Sequence, residues 1–335
     1  MPPVVRRQDM RVPGQQVQID DILSTSVPVS KLREEYVKIC FYGRNRSGKT
    51  TISAEFKKPL LLISTEPDAC GGATSVSNIP DVFLQRVSHR LLGQDEEGRW
   101  LDATDHRCVR RDTLKGSDKV RAIGAALSKP HKFSTIVFDT VTSLQDIILT
   151  EIMGWEKVPE MMPDIRAVGK ENYQYRAEKW RATINPILDL QNCNVIILAQ
   201  EKDHNPEKDD FGGKRKILHT MQQGSFMAPS LGSTNAGWLQ DNCGYLIQIY
   251  EDEVTQEIVV PMNNPDGTPA TPITRQVPTG RRQRHLRLLY HPNFAAGGRW
   301  QFDRNVPEFV TAPTPRELYR AMAKLIPALK EENDD

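Results

Sequence analysis

Cys40-Phe41-Tyr42-Gly43-Arg44-Asn45-Arg46-Ser47-Gly48-Lys49-Thr50-Thr51 carries the pattern G-x-x-x-x-G-K-T, in which each fixed residue has a physical task. Gly43 and Gly48 let the backbone turn tightly and approach an anion with no Cβ in the way. The amides from Asn45 to Thr50 are then free to close as a nest around a β-phosphate. Lys49 offers a point charge to the β- and γ-phosphates, and the Thr50 hydroxyl suits a bound Mg²⁺. A helix opening near Lys49 adds its dipole to the attraction. Four such positions coincide by chance in roughly one chain in a hundred of this size, and the flanks argue against coincidence. Val37-Lys38-Ile39-Cys40-Phe41-Tyr42 is a β-branched and aromatic run, and Thr51-Ile52-Ser53-Ala54-Glu55-Phe56 continues a helix. The stretch from Gly43 to Thr51 is therefore expected to bind a nucleotide.

Working outward, Ser134-Thr135-Ile136-Val137-Phe138-Asp139-Thr140 is an apolar run ending in an acid, about ninety residues after Lys49. An acid at the carboxyl end of a buried parallel strand is placed to orient a Mg²⁺-bound water, so Asp139 joins Thr50 as a candidate metal residue. Pro59-Leu60-Leu61-Leu62-Ile63-Ser64-Thr65 suits a strand buried on both faces and ends at Glu66. Asn194-Val195-Ile196-Ile197-Leu198-Ala199-Gln200-Glu201 is a third such strand and ends in an amide. Between them, residues 117–127 and 175–184 have helical character, the latter perturbed near Pro186. Late in the chain, Tyr245–Tyr250 and His285–Tyr290 are predicted to pair as a hairpin around a Pro- and Gly-rich excursion from Pro261 to Gly280. Thr314-Pro315-Arg316-Glu317 is a capping box that opens a C-terminal helix. Strands alternating with helices predict an α/β fold with a mostly parallel central sheet flanked by helices. Residues 150–174 and 202–233 read mainly as long loops, which in a compact domain are usually functional or disordered, and residues 67–115 carry mixed polar sequence with turn signals at Gly71-Gly72 and Asp95-Glu96-Glu97-Gly98.

The 335 residues have a formal net charge of +1, so no global field marks the chain as a nucleic-acid binder and any such surface is local. Five scattered cysteines form no C-x-x-C pair, which argues against a disulfide scaffold or a zinc ribbon. No apolar run has the length of a membrane span, and Met1–Arg7 lacks the apolar core of a signal peptide. The expectation is a cytoplasmic protein with no membrane partner. The organisation predicted is a loosely ordered arm over 1–30, a core over 31–312, a C-terminal helix over 313–330 and an acidic tail over 331–335.

With these pieces in this order, the chain resembles the core of RecA-type ATPases, and most of all the short phage-encoded members that anneal or pair single-stranded DNA. The resemblance is specific at Gly43–Thr50 and at Ile136–Leu144 and looser elsewhere from Val37 to Val310. It implies ATP and Mg²⁺ as ligands, a homo-oligomer in ring or filament form, and, for a phage protein, the host cytoplasm. It implies that Glu66 activates the attacking water with Lys49 on the phosphates. Gln200 would sense the γ-phosphate and signal to a DNA-binding loop. Phe211 with Lys214, Arg215 and Lys216 would then meet single-stranded DNA by stacking and phosphate contacts. The chain departs from the family beyond the late hairpin, where Tyr290-His291-Pro292-Asn293 lacks the basic residues that reach a neighbour's nucleotide. Arg287, Arg299 and Arg304 are the candidates to act there in trans, with Arg281, Arg282 and Arg284 in the preceding turn as further ones. The alternatives are a DNA-independent RecA-fold motor, a nucleotide-gated regulator of a protein partner, or, less well matched, a small-molecule kinase.

Overall fold

In the computed structural model the chain divides into two units, Met1–Glu35 and Tyr36–Asp335. The structure describes residues 35–66, 71–155, 169–204, 226–231, 233–263, 269–289, 294–299, 305–326 and 328–329. The expected arm and acidic tail lie outside them.

In chain order the strands of the first half are β1 (Lys38–Gly43), β2 (Leu60–Ser64), β3 (Val82–Arg86), β4 (Leu92–Gln94), β5 (Trp100–Asp102), β6 (Arg110–Arg111) and β7 (Thr135–Asp139). They are followed by β8 (Asn194–His204), β9 (Phe226–Pro229), β10 (Tyr245–Asn263), β11 (Pro269–Arg287), β12 (Gly297–Gly298) and β13 (Phe309–Ala312). The main sheet has the order β13-β11-β10-β1-β8-β7-β2-β3, with β9 on β8 and β12 on β10. From β10 to β3 neighbouring strands are parallel, whereas β11 and β13 join antiparallel. β8 is thus inserted between β1 and β7, the strands that carry the two halves of the phosphate motif. This is an α/β arrangement, a mostly parallel central sheet with a late antiparallel hairpin and the phosphate motif at the ends of its parallel strands.

The apolar strands sit in the middle because both their faces are covered. Along β1, Cys40 and Tyr42 point into one core and Ile39 and Phe41 into the other. The same alternation runs along β2, β7 and β8, so a continuous apolar run serves two cores at once. Helices Gly116–Leu127, Val141–Met153, Lys170–Leu188 and Ser233–Asn242 cover the first face. The second is covered by Ile52, Phe56 and the C-terminal helix Pro315–Ala323, whose Tyr319 ring packs on Phe56 with centroids 4.8 Å apart. Thr314 caps that helix by accepting from the Glu317 amide, as the capping box requires.

The mixed polar stretch 67–115 contains β3 and the small sheet β5-β4-β6. Several loop expectations are corrected. Of the stretch 150–174, helical residues occupy both ends, to Met153 and from Lys170; the second helix starts five residues ahead of Tyr175 and continues two residues past Pro186. β8 extends to His204 and pairs with β9 inside the expected loop 202–233. The excursion from Pro261 to Gly280 is largely strand: β10 and β11 stay paired out to Asn263 opposite Pro269. Proline is admissible there because, among the described residues, β13 joins β11 only at Arg284–Arg287 and the outer hairpin pairs with no further strand. Arg281, Arg282 and Arg284 therefore lie in a strand and not in a turn.

Trp180 is the largest side chain wholly buried in the first core, and its indole N–H donates to the Val141 carbonyl at 3.1 Å. Trp180→Ala is expected to lower unfolding free energy by about 3–5 kcal/mol, since it leaves a cavity and an unpaired carbonyl. Urea denaturation followed by circular dichroism checks this.

Candidate nucleotide site

The parallel strands end together. Gly43 pairs with Gln200, Ser64 with Asp139 and Asp139 with Leu198, which brings the phosphate loop, Glu66, Asp139 and Gln200 to one edge of the sheet. Within the loop, Arg46 and Gly48 take left-handed backbone angles (φ 64° and 93°), the alternation that turns successive amides inward as a nest. Lys49 is buried and donates to the carbonyls of Gly43 (2.9 Å) and Arg44 (2.7 Å). Burial pulls its ammonium below the ordinary lysine range, and Asp139, Glu66 and Glu201 oppose that pull. The Thr50 hydroxyl donates to Asp139 Oδ2 at 2.8 Å.

Asp139 is almost wholly buried. Burial first, and then the neighbouring Glu66, push its carboxyl up to about 7, against the Thr50 hydrogen bond and the Lys49 charge. Two acids facing each other next to a threonine hydroxyl are a hard-oxygen set suited to a divalent cation. Thr50 and Asp139 would hold Mg²⁺, with phosphate oxygens and water completing its shell. Among the described residues no group of three His, Cys, Asp or Glu side chains forms a cage. The Ser47 hydroxyl is buried in the loop with no hydrogen-bond partner among the described residues.

Glu66 sits two residues past the end of β2, and its Oε2 accepts from the Gly72 amide at 2.9 Å. The residue beside it is fixed to the end of β7: the Thr65 amide donates to the Asp139 carbonyl (2.7 Å) and the Thr65 hydroxyl to the Thr140 carbonyl (2.6 Å). The Asp139–Thr140 peptide is cis. Gln200 is held through its backbone, its amide donating to Thr142 Oγ1 and its carbonyl accepting from Ser230.

Two residues at the site, Glu201 and Gly72, escaped sequence reasoning, and a third, Arg284, was a candidate only for action in trans. Glu201 is buried to 7 % exposure, takes Arg44 Nε at 2.9 Å and accepts from Gln248; its signal was its place directly after Gln200. Gly72, read as a turn, lies so close that a Cβ there would stand 2.3 Å from Thr50 Oγ1 and 2.5 Å from Asp139 Oδ2. Arg284 lies beside Gly48. Of the arginines expected to act on a neighbour, Arg287 pairs with Glu308 at 2.5 Å and lies over the Tyr250 and Phe294 rings of its own chain. Arg299 is exposed, and Arg304, Phe211, Lys214, Arg215 and Lys216 lie outside the described residues.

Residues 35–300 match the family described as AAA domain. No curated protein gives a match. Solved structures similar to this chain include the flagellar accessory protein FlaH from Methanocaldococcus jannaschii, at 10 % identity and TM-score 0.35, covering 88 % of this chain and 89 % of that one. The RadB recombinase is similar at 11 % identity and TM-score 0.35, covering 89 % and 94 %. The family match spans most of the chain, so the chain belongs to the AAA domain family and is a nucleotide-binding P-loop ATPase. No helix among the described residues is long and apolar enough to cross a membrane.

The raised Asp139 pKa has a consequence for stability. The folded state holds a proton that the unfolded state, near 3.8, has released, so this contribution is fully present below about pH 4 and is lost as pH rises to about 7. Metal-free Asp139→Asn is expected to show a shallower fall in stability over that window, with the advantage over the parent largest above pH 7. Denaturant melts at pH 5 and pH 8 measure it.

Proposed function

We propose that this AAA-domain ATPase hydrolyses ATP while acting on single-stranded DNA in recombination or annealing, as a homo-oligomer. The observation that carries the reading is the course of β8. Gln200 stands opposite Gly43 of the phosphate loop, and four residues on, after His204, the chain enters residues 205–225 with Phe211, Lys214, Arg215 and Lys216. A shift at Gln200 on γ-phosphate binding needs only a short relay to reach that basic and aromatic segment.

In this scheme Lys49 turns from the two loop carbonyls to the β- and γ-phosphates. The Glu66 carboxylate takes a proton from the attacking water as its oxygen bonds to the γ-phosphorus and the bond to the bridging oxygen breaks, leaving ADP and phosphate. Thr50 and Asp139 would hold Mg²⁺, which would supply charge neutralisation to the phosphates when bound. An arginine of a neighbouring subunit (Arg287, Arg299 or Arg304) belongs to the same proposal. The alternative is a DNA-independent motor or a nucleotide-gated regulator of a protein partner.

ATP turnover with and without single-stranded DNA, at two salt concentrations, decides between them. Lys49→Ala is expected to abolish nucleotide binding, and Glu66→Gln to lower turnover about a hundredfold or more. Replacing Lys214, Arg215 and Lys216 together by Ala is expected to weaken DNA binding and to flatten its salt slope by up to about two, at roughly 0.7 per phosphate. Gln200→Ala is expected to keep ATP binding and lose stimulation by DNA. Turnover indifferent to DNA in the parent protein favours the DNA-independent reading.

A further inference from the structure

Both glycines of the phosphate loop face the base of the β10–β11 hairpin. A Cβ on Gly43 would stand 2.1 Å from the Ile249 carbonyl oxygen of β10. A Cβ on Gly48 would stand 3.3 Å from Arg284 Nε and 3.9 Å from its Cζ, on β11. The loop is thus closed from outside by one backbone carbonyl and one guanidinium of the hairpin.

Arg284 is directly opposite Glu251 in the ladder, and its Nε lies 2.8 Å from Glu251 Oε1. The pair is close, yet the buried Nε–H makes no hydrogen bond, so the N–H is not aimed at the carboxylate. Arg282 Nη1 also stands near Glu251, at 3.7 Å. Glu251 therefore has a second cation within reach if Arg284 turns away. Arg284 is one-third exposed, against Glu251 at one-fifth, so neither is locked in a dry core.

We propose that Arg284 is a positioning residue that couples the hairpin to occupancy of the phosphate loop of its own chain. A polyphosphate in the nest places several negative charges beside Gly48 and competes with the single carboxylate of Glu251 for this guanidinium. Arg284 turns toward the filled loop, Arg282 inherits Glu251, and the two strands shift at their base. Beyond that base β10 and β11 run on paired with each other, and among the described residues with no third strand, for roughly 40 Å, at about 3.3 Å per residue. The ribbon carries exposed Ile258 and Val259, so a small movement at Glu251 and Arg284 displaces an apolar surface far from the nucleotide. The inference rests on nucleotide binding by the loop but requires neither DNA nor hydrolysis.

The test measures binding of a fluorescent non-hydrolysable ATP analogue and of ADP to the full chain, with hydrogen exchange of the β10–β11 amides followed in parallel. Arg284→Ala is expected to weaken the triphosphate by about tenfold or more, the scale of a charge-assisted contact, and at saturating ligand to lose the nucleotide-dependent change in exchange. Arg284→Lys is expected to recover much of the affinity. Glu251→Gln keeps the side-chain volume while removing the competing charge, and is expected to bind the triphosphate more tightly than the parent. Arg284→Ala that matches the parent in affinity and exchange overturns the proposal, as does Glu251→Gln that binds no more tightly. If Arg284→Ala does not fold, Glu251→Gln alone decides. A parent protein that binds no nucleotide overturns this inference and the proposed function together; a parent that binds while the variants behave like it overturns this inference alone.

Discussion

The site depends on parallel strands that end in register at one edge of a sheet buried on both faces. Because β2 and β7 stop side by side, Asp139 and Glu66 are forced into proximity, and because β1 lies two strands from β7, the phosphate loop opens beside them. The cost of this arrangement is electrostatic. Burial first, and then the neighbouring Glu66, hold the Asp139 carboxyl at about 7. Lys49 and the Thr50 hydroxyl offset part of that cost, and a divalent cation with a polyphosphate would offset the rest.

The second constraint is steric. Gly43 and Gly72 each stand where a methyl group would collide with an atom of the site or of its surround, whereas at Gly48 it would meet only the Arg284 side chain at 3.3 Å. At Gly48 the left-handed backbone is also required. At Gly43 and Gly72 the requirement is room, for the Ile249 carbonyl in one case and for Thr50 and Asp139 in the other. The hairpin is thereby in van der Waals contact with the nucleotide loop instead of being an appendage to the sheet edge, and the phosphate loop is defined as much by what packs outside it as by what it would enclose.

Glu201 shows how burial and charge act jointly. Its carboxylate is almost inaccessible, tied to Arg44 on the loop and to Gln248 on β10, so it bridges the phosphate loop and the base of the hairpin. It also contributes to keeping Lys49 protonated against burial. An acid in this place would be expensive if unpaired; paired, it fixes the loop relative to two strands.

By itself the sequence determined the phosphate loop, the strand-end residues Glu66, Asp139 and Gln200, and the α/β class, because these follow from local rules. A loop that cradles phosphate needs its glycines, lysine and threonine at set spacings, and a strand buried on both faces must be apolar throughout. The capping box at Thr314 was legible for the same reason. Tertiary structure alone decided that the Pro-rich stretch after Pro261 is strand, since proline is tolerated only where no third strand needs its amide, and neighbours are invisible to local pattern. It decided as well that Arg284, Gly72 and Glu201 belong to the site. Arg284 and Gly48 are 236 positions apart in the chain, and an arginine among other arginines reads as solvated surface until strand pairing places it against the loop. Spacing along the chain encodes which groups can act; distance through the fold decides which of them meet.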